Sequence, residues 1–205
     1  MANIGLRKFW YAELDTEADT YGEIQTLAGA IESKMSLTTT NAELYSDDEL
    51  NDKVDEFVKA SLTLGIDNDN DKVFAGLLGQ TAKKLVNGVF EYTQKTTDQP
   101  IFVGFSQIVT KREKGHYKYK AEFLKKVQFK PFSTDKKTKG ESLEFATPSV
   151  EGTIYPHNGE WEKHATFDNE KDAIEYIKLC FGAESQMAYA VEDTEQENTQ
   201  SEGNV

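Results

Sequence analysis

A single cysteine, Cys180, occurs in 205 residues. No internal disulfide can form from it, and a cysteine-rich zinc site is excluded. It falls on the apolar face of an expected helix, where a thiol acts as a small buried hydrophobe. Long apolar runs are also missing; none approaches the roughly 18 residues of a membrane span. The segment Met1-Ala2-Asn3-Ile4-Gly5 has neither the basic region nor the apolar stretch of a secretory signal. A protein made and kept in a cytoplasm is expected, unless it leaves inside a larger object. Positive charge is scarce, with 23 Lys and Arg against 36 Asp and Glu and a formal net charge of -13. Such a chain repels nucleic acid by default, because duplex binding relies on Lys and Arg displacing counterions from phosphates. There is no repeat of solenoid or propeller length, no G-x-S-x-G elbow, and no phosphate-binding glycine loop ahead of a helix.

What is present suits one substantial domain, or a domain plus a tail. Hydrophobic residues make up 38% and aromatics 11%, with Phe and Tyr well ahead of Trp and Met. With many Thr and Val besides, the composition leans toward sheet. Ile4–Leu14 reads as a first strand, Thr20–Glu23 as a turn or short excursion, and Ala30–Thr39 as a second strand with Ile31, Met35 and Leu37 on one face. Next comes an acidic, loop-like segment, Asn41–Asp55, that holds Leu44 and Tyr45 among Glu43, Asp47, Asp48, Glu49 and Asp52. It runs into a strand over Val54–Ile66, where Val54, Val58, Ala60, Leu62, Leu64 and Ile66 alternate with Asp55, Phe57, Lys59, Ser61 and Thr63. A loop so charged on so regular a strand suggests a surface made to meet another molecule.

Asp69 or Asn70 can cap a short helix that carries Val73, Phe74, Leu77 and Leu78 and stops at Gly79. A strand near Leu85–Thr93 follows. Ile101–Arg112 and Tyr117–Lys130 form a hairpin around Glu113-Lys114-Gly115-His116. Its second arm puts Tyr117, Tyr119, Ala121, Phe123, Val127 and Phe129 on one face and Lys118, Lys120, Lys126 and Lys130 on the other. Ser142–Thr147, Val150–Tyr155 and Trp161–Phe167 read as further strands. Asp168 then caps a helix with the stripe Ala173, Ile174, Ile177, Cys180 and Phe181, closed by Gly182. Residues 183–205 carry six carboxylates and no basic side chain, and read as a disordered acidic tail. The order is α+β and mainly β, built on a sandwich or barrel with one short helix and one C-terminal helix.

Catalytic and metal chemistry find little support. Asp67-Asn68-Asp69-Asn70-Asp71 resembles the start of a calcium loop, but that loop needs Gly at its sixth position and Glu at its twelfth, where Lys72 and Leu78 stand. A polar turn capping the next helix is the better reading. His116, His157 and His164 are scattered, without the cysteine or carboxylate pattern of a metal site. No catalytic residue, metal or cofactor is expected. Eleven of the 23 basic residues fall between Lys111 and Lys139. They could be the solvated face of a hairpin, a nucleic-acid patch, or a surface that meets the acidic Asp47–Glu56 region of an identical subunit. The charge split favours self-association over nucleic acid, and complementary patches on one protein permit head-to-tail rings or filaments.

Together these pieces resemble the major tail protein, or tail tube protein, of long-tailed phages of Gram-positive bacteria. The resemblance spans approximately Ile4 to Gly182. It rests on Leu44-Tyr45-Ser46-Asp47-Asp48, Leu62-Thr63-Leu64-Gly65-Ile66-Asp67, Leu77-Leu78-Gly79, Phe102-Val103-Gly104-Phe105 and Lys125-Lys126-Val127-Gln128-Phe129. Its strongest block is Phe145-Ala146-Thr147-Pro148-Ser149-Val150-Glu151-Gly152-Thr153-Ile154, in which Thr147, Pro148, Glu151 and Gly152 carry the motif. The resemblance implies a tail-tube-like β-sandwich over residues 1–182 with a flanking helix, assembled as stacked homohexameric rings in the virion. It implies a tape-measure protein, tail tip or initiator proteins and a terminator as partners. Phage DNA would pass through without specific binding, and no membrane would be involved. On this reading Leu44, Tyr45, Asp47, Asp48, Glu49, Asp52, Lys118 and Lys120 are candidate contacts within or between rings. A terminator or injectisome-type ring protein on the same scaffold is the alternative. A host β-sandwich that binds carbohydrate or calcium is a third reading, opposed by the missing calcium ligands and the absence of clustered Trp.

Overall fold

The computed structural model describes residues 2–46, 49–131 and 147–183, with backbone alone over 41–46 and 49–55. The fold is α+β and mainly β. Along the main antiparallel sheet the order is β2 (Thr20–Tyr21), β1 (Ala2–Asp15), β8 (Phe102–Glu113), β9 (His116–Phe129), β10 (Ser149–Tyr155), β5 (Glu49–Ile66) and β4 (Ala30–Ser46). Two further strands branch from this path: β3 (Gln25–Ala28) pairs with β1, and β11 (Glu162–Phe167) pairs with β9. A separate ribbon is made by β6 (Thr81–Lys84) and β7 (Phe90–Thr93). Although β1 and β5 are far apart in the strand order, Phe9 and Tyr11 share a core with Leu62 and Leu64. The sheet therefore curls around that core like a barrel. Strands β1 and β4 approach each other without forming a ladder, so the barrel is not closed.

Bulges decide which side chains reach this core, because one extra residue flips everything beyond it to the other face. On β9, Lys125 and Lys126 together oppose Gly104, since Val103 pairs with Val127 but Phe105 pairs with Leu124. Leu124, Val127 and Phe129 therefore point into the barrel core with Val103 and Phe105. Ala121 and Phe123 point the opposite way. The single face expected from Tyr117 to Phe129 is thus split in two. A second bulge sits at Val58: Thr38 pairs with Lys59, but Thr39 pairs with Phe57. It corrects the expected alternation, turning Phe57 toward the core, where its ring stacks on Trp161 at 4.7 Å. On β1 the bulge at Lys8, with φ 60, lets Phe9 enter the core.

The outer face of β1, β8 and β9 is covered by α2 (Glu170–Cys180). Ala173, Ile177 and Phe181 of this helical stripe bury against Ala12, Ile108, Ala121 and Phe123. Burying the larger of these, Ile177 and Phe181, contributes roughly 1.5–3 kcal/mol each. The N-cap is Asn169, whose Oδ1 accepts from the Asp172 N–H at 2.9 Å. Asp168, the expected cap, is instead engaged by Lys118. Gly104 faces this layer without a side chain; a Cβ there would lie 2.6 Å from the Tyr21 ring. The Tyr21 ring packs edge-on against Phe123 and Phe181, and its hydroxyl donates to Lys125 O at the β9 bulge, 2.9 Å away. Burial pushes the Tyr21 phenol upward.

Helix α1 (Asp71–Leu77) forms as the sequence leads one to expect, with Asn70 Oδ1 accepting from Lys72 N–H at 3.1 Å and Phe74 and Leu77 in the barrel core. Gly79, at φ 68, lets the chain turn where a Cβ would lie 2.4 Å from Gln99 O. The expected strand Leu85–Thr93 is in fact the turn and second arm of the β6–β7 ribbon. Asn87 and Gly88, both at φ 79, reverse the chain there. Thr147 precedes β10 without joining a strand; Ser142–Ala146, the basic residues Lys136, Lys137 and Lys139, and residues 184–205 lie outside the described residues.

Candidate functional site

The acidic segment is not a loop. Strands β4 and β5 keep pairing through it, with Asn41 opposite Asp55, Glu43 opposite Lys53, Leu44 opposite Asp52, Tyr45 opposite Leu50 and Ser46 opposite Glu49. The expectation failed because charge density was read as loop character, whereas a solvated strand accepts carboxylates as long as its backbone ladder is complete. Leu44, Tyr45, Glu49 and Asp52 are therefore ladder positions. Asp47 and Asp48 lie outside the described residues, as do the side chains of the other four. The hairpin spans 17 residues on β4 and 18 on β5, which at about 3.4 Å per residue is nearly 60 Å of strand.

Among the described side chains of this hairpin, burial is confined to β5 at its base. Ala60, Leu62, Leu64 and Ile66 of β5 are buried, while on the same face of β4 Met35 and Leu37 are exposed opposite Leu62 and Ala60. Strand β4 ends the sheet, so its outer edge has no ladder partner among the described residues. An apolar face beside an open edge is the arrangement that soluble proteins ordinarily avoid.

Lys118 and Lys120 sit elsewhere, on β9. Lys118 donates to Asp168, and that hydrogen bond raises its affinity for the proton. Lys120 Nζ donates to Glu122 Oε1 at 2.6 Å, and Glu122 also accepts from Gln107 Nε2 at 2.7 Å. Both lysines already hold carboxylates of their own chain. A shallow depression between the β8–β9 turn and the start of α2 collects Glu113, Lys114, His116, Lys118, Asp168 and Glu170, mixing both signs of charge.

The motif residues explain themselves through the fold. Pro148 O accepts from Ile66 N–H at 3.0 Å, tying the entry to β10 to the base of the long hairpin. Gly152 pairs with Leu62 on one side and Phe129 on the other, and a Cβ there would lie 3.2 Å from both Phe129 and Val127 side-chain atoms. Glu151 is exposed; its carbonyl accepts from Lys130 N–H at 2.8 Å. Thr147 lies at the open start of this segment.

The polar run 67–71 works as a fastener. Asp67 Oδ1 accepts from Gly29 N–H and Asn68 Nδ2, each at 2.7 Å, while Asn70 caps α1. Across the molecule, His157 Nε2 lies 2.5 Å from Asp19 Oδ1 and Asn158 Nδ2 donates to Asp19 Oδ2 at 2.7 Å. The His157 hydrogen bond holds the Asp19 carboxyl below its ordinary value. Among the described residues no three His, Cys, Asp or Glu side chains group as metal ligands, and no helix is long and apolar enough to cross a membrane.

Sequence reasoning missed the β6–β7 ribbon. Its signal was present in Val86-Asn87-Gly88-Val89, an Asn-Gly turn between β-branched residues. The chain matches no family model, and no curated protein matches it significantly.

Proposed function

We propose that this chain is a self-assembling structural protein of the tail-tube kind, forming stacked hexameric rings that enclose a conduit for phage DNA. One observation carries the reading: a long acidic hairpin extends an open sheet edge whose apolar face, at Met35 and Leu37, lacks a cover within the described residues. A second copy would satisfy both needs by adding a strand and covering the apolar face. The ordered sequence blocks that resemble tail tube proteins add the ring geometry, the virion location, and the tape-measure, tail-tip and terminator partners. The net charge of -13 supports a conduit to which DNA does not adhere.

Negative-stain microscopy over a concentration series tests this reading. Long hollow tubes are the expected result, and a persistent monomer overturns it. Particles that stop at one ring would favour the terminator alternative. Reversing the charge of Asp47 and Asp48 together should impair tube growth while the circular dichroism of the subunit stays unchanged. Tubes of normal length from that variant would remove Asp47 and Asp48 from assembly.

A further inference from the structure

The β6–β7 ribbon is the other unexplained feature of the surface. It pairs with no other strand among the described residues, so both of its edges are open. A lone two-stranded ribbon is marginal in water, yet this one displays apolar side chains. Val86 is 88% exposed, Val89 59% and Phe90 51%, with Leu85 also exposed and the Phe90 ring stacked on Tyr92 at 6.4 Å. Lys84 lies on the Phe90 face, directly across the ladder from it. Residues 81–93 contain Lys83 and Lys84 against Glu91, giving a net positive ribbon in a chain of net charge -13.

The β4–β5 hairpin has the opposite character. Residues 41–56 hold seven carboxylates and a single lysine, and they continue from the exposed apolar pair Met35 and Leu37 on the open edge of β4. Each surface therefore has what the other lacks: open edge against open edge, apolar against apolar, positive against negative.

We infer that the β6–β7 ribbon of one copy docks on strand β4 of the next, with Val86 at its turn and Phe90 on one face of its ladder covering Met35 and Leu37. This rests on the self-assembly reading above and names the surfaces that would join. The contact is heterologous, so repeating it closes a ring or extends a filament rather than stopping at a dimer. Val86 and Leu37 are exposed in the single chain, so changing them leaves the subunit fold intact.

The test uses full-length chain. Val86→Asp and Leu37→Asp should each raise the concentration needed for assembly by about tenfold or more, the size of a lost interface anchor, with unchanged circular dichroism and melting temperature. In a Cys180→Ala background, Leu37→Cys combined with Val86→Cys should give a ladder of oligomers under mild oxidation, with residue 37 of one chain linked to residue 86 of the next. An equal mixture of the two single cysteine variants should give mainly the mixed 37–86 dimer. Normal assembly of both Asp variants overturns the inference, as does a double variant that fails to link residue 37 to residue 86. If wild-type tubes form but ignore these substitutions, the tube reading stands and the ribbon contact falls. If the chain makes only short oligomers that still link residue 37 to 86, the contact stands and the tube reading falls. A wild-type chain that stays monomeric up to its solubility limit overturns both.

Discussion

The two long hairpins of this protein are built alike and used differently. Strands β8 and β9 pair over nearly their whole length around a two-residue turn, Lys114-Gly115, and β4 and β5 pair over a similar length from Ala30 opposite Ile66 to Ser46 opposite Glu49. The first hairpin lies at the centre, covered by the barrel core on one face and by α2 on the other. The second forms the edge of the sheet, with Ala60, Leu62, Leu64 and Ile66 of β5 buried and Met35 and Leu37 of β4 exposed. The central hairpin therefore carries stability, and the peripheral one carries surface. A strand held on both faces cannot change partners cheaply, whereas an edge strand can accept a new one without giving up any existing ladder.

Substitutions separate the two roles, and the largest effect belongs to the centre. Phe123→Ala, which empties space between Tyr21 and Phe181, should cost about 3–5 kcal/mol in chemical denaturation. Leu37→Ala on the edge strand should leave the subunit within about 0.5 kcal/mol of wild type; a loss comparable to that of Phe123→Ala would erase the distinction between the hairpins. Gly152→Ala should cost an intermediate amount, roughly 1–3 kcal/mol, because Phe129 and Val127 must move aside. It probes the seam where β10 joins the central strands to the hairpin base. Asn70→Ala should cost about 1 kcal/mol through the lost α1 cap.

The smallest effect is a pH dependence. Asp19 and Glu160 both have carboxyls held below their ordinary values, Asp19 by His157 and Glu160 by Lys125. A lowered folded-state value means that their stabilisation is complete above the ordinary carboxylate range and is lost as pH falls through the folded value. The 156–160 turn should stay protected from amide exchange above about pH 4 and loosen only below it. Loosening between pH 5 and 7 would show that the Asp19 contact does not fasten this turn.

Much of the fold was legible. Period-two alternation located β1, β5, β8, β9 and β10, and the 3.6-residue stripe with its closing glycine located α2. Where the reading failed, a local signal was outweighed by something distant. Carboxylates at 43–55 looked like a loop because the sequence does not display the backbone ladder that makes them a strand. Asp168 looked like the cap until Lys118, fifty positions away in sequence, engaged it.

By itself the sequence determined the mainly β class, the central hairpin and its turn, the amphipathic helix, and the impossibility of an internal disulfide. These follow from residue types and short spacings, which act through neighbours along the chain. Only the tertiary structure decided that Phe57 turns inward, that one face of β9 is divided between two cores, and that Met35, Leu37 and the Val86–Phe90 turn are left in solvent. A bulge or an uncovered face is defined by what lies across the ladder, and that neighbour is set by the fold rather than by the next residue in line.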